Sequence, residues 1–123
     1  MRILIISRTS WDVSSSFGNT FDNLFGGMKD IEIHNICCQS GIVNSKYVQS
    51  AYQMTDFSVF YSLFGKKPGT QMKFANQNTY TLEKEYKPRK RRTIYFIIRD
   101  VMWSLGKWFN SDIKDYINKV NPD

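Results

Sequence analysis

The chain has 123 residues, 41% hydrophobic, 23% charged and 15% aromatic, with seventeen Lys and Arg against eleven Asp and Glu. That is the length of one domain and an ordinary globular mixture, which excludes a disordered tail, a collagen-like chain and a disulfide scaffold. The charge is uneven: residues 1–60 carry four bases and five acids, residues 61–92 nine and two, residues 93–123 four of each. The net +6 therefore belongs to one central segment and describes that segment's partner.

No apolar run approaches the ~20 residues of a membrane span. The apolar run at the N-terminus, Ile3–Ile6, is too short for a signal peptide's ~7–15-residue core. Cys37 and Cys38 are adjacent, a strained arrangement for a disulfide, and no zinc-ligand spacing exists. The expectation is a cytoplasmic protein with reduced thiols, no metal and no cofactor.

In chain order, residues 2–7 read as a strand covered on both faces, because the β-branched run does not alternate. A polar loop follows to Gly18, and Asn19 or Thr20 is placed to cap a helix. Phe21, Leu24, Phe25 and Met28 fall on one face of that helix. Asp30 closes the turn, and residues 31–38 read as a second strand. Strand, helix, strand is a βαβ opening. Residues 46–54 fit either a helix or an irregular extended piece. Thr55 caps a short helix that places Phe57, Phe60, Tyr61 and Phe64 together.

Residues 66–92 are polar and basic, contain Pro68 and Pro88, and read as a mobile insertion. Thr93 to Phe109 predicts a long amphipathic helix, with Ile94, Ile97, Ile98, Val101, Leu105 and Trp108 toward the core. Asn110 or Ser111 caps a last helix, whose inner stripe is Ile113, Tyr116, Ile117 and Val120. The fold class expected is α/β: a partial, Rossmann-like βαβ domain with a basic insertion and C-terminal helices. Only two strands are expected, too few for a stable α/β sheet. The chain thus reads as an incomplete domain over residues 1–123.

Few residues carry chemistry by pattern. His34, the only histidine, lies mid-strand, where side chains are packed more often than catalytic. Nothing near Cys37 or Cys38 lowers a thiol pKa, so both read as inert. Asp112 and Asp115 suit a helix N-terminus, a structural role. No catalytic residue is assigned.

The basic run Lys87, Arg89, Lys90, Arg91, Arg92 directly precedes the apolar helix. That pairing suits an anionic membrane surface, at ~1 kcal/mol per base, with Trp103 and Trp108 at headgroup level. A solvated charged loop before a core helix is the plain alternative. Nucleic acid ranks last, because the aromatics follow a helical pattern and are not interleaved with the bases.

Three segments together resemble a known family. Gly18-Asn19-Thr20-Phe21-Asp22-Asn23-Leu24-Phe25, after the strand Ile3–Ser7, looks like the start of bacterial polysaccharide-type glycosyltransferases of the GT-B fold. Arg99-Asp100-Val101-Met102-Trp103-Ser104-Leu105-Gly106-Lys107-Trp108 is similar to a helix of the same enzymes. Ile117 to Asp123 looks like their helix leading through Pro-Asp into a further strand.

The resemblance implies two Rossmann-like domains facing a cleft. This chain would be part of the acceptor-side, N-terminal one, inactive alone. The nucleotide-sugar donor would be held by a C-terminal domain, and the acceptor would be a polysaccharide or lipid-linked sugar. It also implies that Gly18, Asn19 and Thr20 border substrate, although a single Gly18 stands where many members have two. A helix N-terminus offers free N–H groups to phosphate or hydroxyls, while a plain loop-to-helix cap fits the same residues. The alternative function is a non-catalytic module that binds anionic membrane or nucleic acid through the basic segment.

Overall fold

A computed structural model describes residues 1–72 and 93–123. Its strands are β1 (Arg2–Ser7), β2 (Glu32–Cys37), β3 (Val48–Gln53) and β4 (Thr70–Gln71). Its helices are α1 (Ser16–Phe25), α2 (Asp56–Ser62), α3 (Thr93–Leu105) and α4 (Ser111–Val120). The strands form one sheet in the order β1-β2-β3-β4; the first three are parallel and β4 is antiparallel. The fold is mixed α/β and partially Rossmann-like.

The sheet separates two apolar layers. On one face Trp11, Ile33, Val43, Val48 and Ala51 are buried, with Phe21 and Phe25 of α1 packed against them. On the other, Ile36, Tyr52 and Met54 meet Ile113, Tyr116 and Val120 of α4. Covering both faces of a parallel sheet with helices is the usual solution for this architecture.

Among the described residues four strands, not two, make the sheet. The two that the sequence pattern hides do so for identifiable reasons. In β3 the pairing slips between Ile33 and His34: Ile33 pairs Val48 while His34 pairs Ser50. The slip turns Val48 and Ala51 to the same face, which destroys the two-residue alternation of a regular strand. Strand β4 has two residues and lies inside the segment read as an insertion. There Pro68 and Gly69 are buried, and Met72 N–H donates to Ala51 C=O at 2.9 Å. The segment therefore begins as ordered structure; residues 73–92, with the run Lys87–Arg92, lie outside the described residues.

Strand β1 is an edge, not a strand covered on both faces: Ile6 is 70% exposed. Its Arg2 exchanges two hydrogen bonds with Asp123, amide to carboxylate at 2.7 Å and carbonyl from amide at 3.1 Å.

The helix caps follow ordinary rules with one displacement. Thr55 and Ser58 form a capping box on α2. Asn110 caps α4, and Asn121 ends it in the left-handed conformation that Asn tolerates. Helix α1, however, is capped by Ser15, whose hydroxyl accepts from Gly18 N–H at 3.1 Å. Asn19 and Thr20 therefore lie inside α1 and do not cap it.

Helix α3 differs most from expectation. It stops at Leu105, before Gly106, and the stripe read as its core face looks outward: Ile94, Ile97, Ile98, Val101 and Leu105 are all exposed. Its inward residues are Arg99, Met102 and Trp103, followed by Gly106. These also recur at helical spacing, so two apolar-compatible faces competed. Close approach selects the second: a Cβ on Gly106 would come within 2.5 Å of Val59.

Candidate functional site

Ligands of open parallel sheets bind beyond the carboxyl ends of the strands. A cleft of about 350 Å³ lies there, lined by Ile6 and Ser7 at the end of β1 and Arg8 after it, Cys38 and Gln39 after β2, Asp56 opening α2, and Arg99, Asp100 and Trp103 of α3. The ends of β1 and β2 each deliver their next residue to the same place, and α2 and α3 add the rest, so neighbours in space come from four separate segments.

The floor is a buried polar network. Asn35 is fully buried; its amide donates to Ile5 C=O at 3.1 Å and to Ser7 Oγ at 2.9 Å. Ser7 Oγ then donates to Thr9 C=O at 2.7 Å. This fixes the turn that aims Arg8. Away from the cleft, on the α1 face of the sheet, Asp22 accepts from Trp11 Nε1 and from Ser45 Oγ, both at 2.6 Å.

The opposite wall is α3, held by Asp56. One carboxylate oxygen accepts from Trp103 Nε1 at 2.8 Å, the other from Tyr95 OH at 2.9 Å. Arg99 is mostly covered; it sits 3.4 Å from Asp100 and its guanidinium lies over the Phe96 ring. Asp56→Ala strands Trp103 Nε1, so a loss of about 1–3 kcal/mol is expected. A red shift of tryptophan emission at an unchanged circular dichroism spectrum would show α3 loosened; unaltered emission and melting would contradict this role for Asp56.

The cleft thus joins two guanidinium groups, two carboxylates (Asp56, tied to Trp103 and Tyr95, and Asp100, paired with Arg99), an amide and an indole ring. That set suits a polyhydroxylated or phosphorylated ligand: carboxylate and amide take hydroxyls, guanidinium forks take phosphate oxygens, and an indole face packs on a sugar's C–H face. The thiols do not extend it toward nucleophilic chemistry. Burial and the neighbouring Cys38 push the Cys37 thiol up to about 11. Burial, with Asp56 nearby, raises Cys38.

Of the residues singled out from sequence, the structure places Trp103 in this cleft, its indole N–H turned inward to Asp56. Trp108 stands outside it, its ring near that of Trp103 at 6.3 Å between centroids. Gly18 is buried against the Asp12 backbone, and Asn19 and Thr20 are exposed on α1. None of the three lines the cleft. The basic run lies outside the described residues. Arg8, Gln39 and Asp56 carry no local motif; only their position just past predicted strand ends, or at a predicted cap, marks them.

His34 is away from the cleft, on the α4 face. Its Nδ1 meets Ser50 Oγ at 2.7 Å, and Ser50 Oγ meets Tyr116 OH at 2.8 Å. Burial, opposed in part by Glu32, lowers its pKa, so it packs as a neutral imidazole. A second depression of about 410 Å³ lies at the β4 edge and is bridged by the Lys67–Asp112 pair at 3.0 Å. It is larger but lies at the antiparallel β4 edge, away from the carboxyl ends of β1 and β2.

Fold and cleft together define an α/β, partially Rossmann-like protein with its candidate site at the carboxyl edge of a parallel sheet. Comparison with family models, curated proteins and solved structures gives no match.

Proposed function

We propose that the chain is the acceptor-side part of a GT-B glycosyltransferase, in which a nucleotide-sugar held by a second domain gives its sugar to a polysaccharide or lipid-linked acceptor. The observation that carries this reading is the cleft: Arg8, Gln39, Asp56, Arg99 and Trp103 converge past the ends of β1 and β2. In this reading the amide and carboxylate hold acceptor hydroxyls, and the two guanidinium groups hold a phosphate of acceptor or donor. The resemblance of the segments at Gly18, Arg99 and Ile117 supports it independently of the cleft. The enzyme would work at the cytoplasmic face of a membrane, where lipid-linked acceptors are presented.

The test is transfer from a panel of nucleotide-sugars to lipid-linked and polysaccharide acceptors by the enzyme carrying this chain. Arg8→Ala and Arg99→Ala should each lower kcat/KM by about ten- to hundredfold, the worth of one charged hydrogen bond, with melting unchanged. Activity equal to wild type in both variants would remove this cleft from the reaction.

A further inference from the structure

The depression of about 410 Å³ between the β4 edge and α4 shares no lining residue with the cleft, and its walls pair unlike charges. Lys67 and Asp112 meet at 3.0 Å, while Asp115 and Lys119 stand one turn apart on α4, exposed and in no ion pair with a described residue. Tyr52 also lines it, only 4% exposed, and its hydroxyl has no hydrogen-bond partner among the described residues. Burial, and the Asp112 carboxylate, raise the pKa of that hydroxyl, so it is a neutral donor. A buried donor without an acceptor costs stability that an arriving acceptor restores. The sheet edge adds backbone groups. Met72 N–H donates to Ala51 C=O, so antiparallel alternation turns the N–H and C=O of Gln71, on the end strand, outward from β3.

We propose that this depression binds a small zwitterion of the amino-acid class, with an ammonium and a carboxylate carried close together. The site is separate from the cleft, and the inference does not rest on the reading above. The balance of charge selects the ligand. A lone anion would meet Asp112 and Asp115, and a lone cation would meet Lys67 and Lys119, so each is opposed as much as it is held. A zwitterion answers both signs. Its carboxylate accepts from Lys67 and from the Tyr52 hydroxyl, and its ammonium donates to Asp112, with Asp115 and the outward Gln71 C=O nearby on the same walls. The existing Lys67–Asp112 contact does not close the site. The Lys67 side chain is 75% exposed, and an ion pair so exposed is worth little. A zwitterion placed between the two gives each a new partner of opposite charge.

The experiment follows backbone amide shifts of the isotope-labelled chain by NMR as the free proteinogenic amino acids are added, first in pools and then singly. Saturable shifts at Thr70, Gln71 and along α4 are expected for at least one of them. The N-acetyl derivative and the amide of that amino acid each lack one of the two charges, and each should bind about tenfold more weakly or worse. Tyr52→Phe should weaken binding by about tenfold with no loss of melting temperature, because the hydroxyl it removes is unpaired. If that variant does not fold, Lys119→Ala on the exposed side of α4 probes the same site, with a loss of about two- to fivefold expected. Saturable shifts from none of the amino acids would overturn the proposal. So would a singly charged derivative that binds as well as its parent, or binding that the folded variants leave unchanged.

Discussion

Trp11→Ala is expected to lower the stability of the domain by about 3–5 kcal/mol, a large part of what a domain this size possesses. Trp11 is fully buried although it belongs to a loop. Its ring meets Phe21 edge-on at 5.2 Å between centroids and Phe25 at 5.9 Å, so it fills the layer between α1 and the sheet. Its Nε1 also donates to Asp22, which simultaneously holds Ser45. Truncation opens a cavity and leaves Asp22 with one of its two side-chain partners. Trp11→Phe keeps most of the volume and loses the donor, so it should cost about 1–2 kcal/mol. Urea unfolding followed by circular dichroism measures both. A loss below about 1 kcal/mol for Trp11→Ala would mean that the layer collapses around the gap.

Gly18→Val is expected to destabilise by about 3 kcal/mol, and Gly18→Ala by nearly as much. The reason is contact, not conformational freedom. A Cβ at this helical position would stand 2.0 Å from Asp12 C=O oxygen and 2.3 Å from its carbon. Asp12 cannot withdraw easily, because the same carbonyl accepts from Ser15 N–H at 2.9 Å and Ser15 Oγ at 2.7 Å. The glycine thus lets the loop after β1 lie directly on α1. Thermal melts of both variants check this, and a wild-type melting temperature for Gly18→Ala would refute it. Activity lost in a Gly18 variant would reflect this packing, so Arg8 and Arg99 are the cleaner probes of the cleft.

Much of the fold was legible in the sequence. The β-branched run at residues 2–7, the stripe of Phe21 and Phe25 and the second run at 31–38 announce β1-α1-β2. Ile113, Tyr116 and Val120 announce the packed face of α4, and Thr55 and Asn110 announce their caps. What hid was structure that breaks period. The slip in β3 puts Val48 and Ala51 on one face, so no alternation survives. Strand β4 is too short to have a pattern and exists because Tyr52 and Gln53 offer it a ladder. The α3 stripe misled because hydrophobicity alone does not say which of two faces packs; the small Gly106 and the pair Trp103–Asp56 decide it. The cleft was the least legible part. Arg8, Gln39, Asp56 and Arg99 are far apart in the chain, and only the parallel order of β1, β2 and β3 gathers them.

The cleft's two sides also differ in compliance. On the sheet side, the fully buried Asn35 locks the end of β1 from beneath through Ile5 C=O and Ser7 Oγ. Opening there means breaking the core. On the other, α3 contributes no fully buried residue and is attached through Trp103, half-buried against the core and bonded to Asp56, through the approach at Gly106, and through the Lys107 amide that follows it and donates to Ser62 Oγ. Segments with little buried apolar contact open at a small fraction of the global free energy. Opening of the cleft should therefore cost least at α3, and a ligand that bridges Arg8 to Arg99 would stiffen that wall.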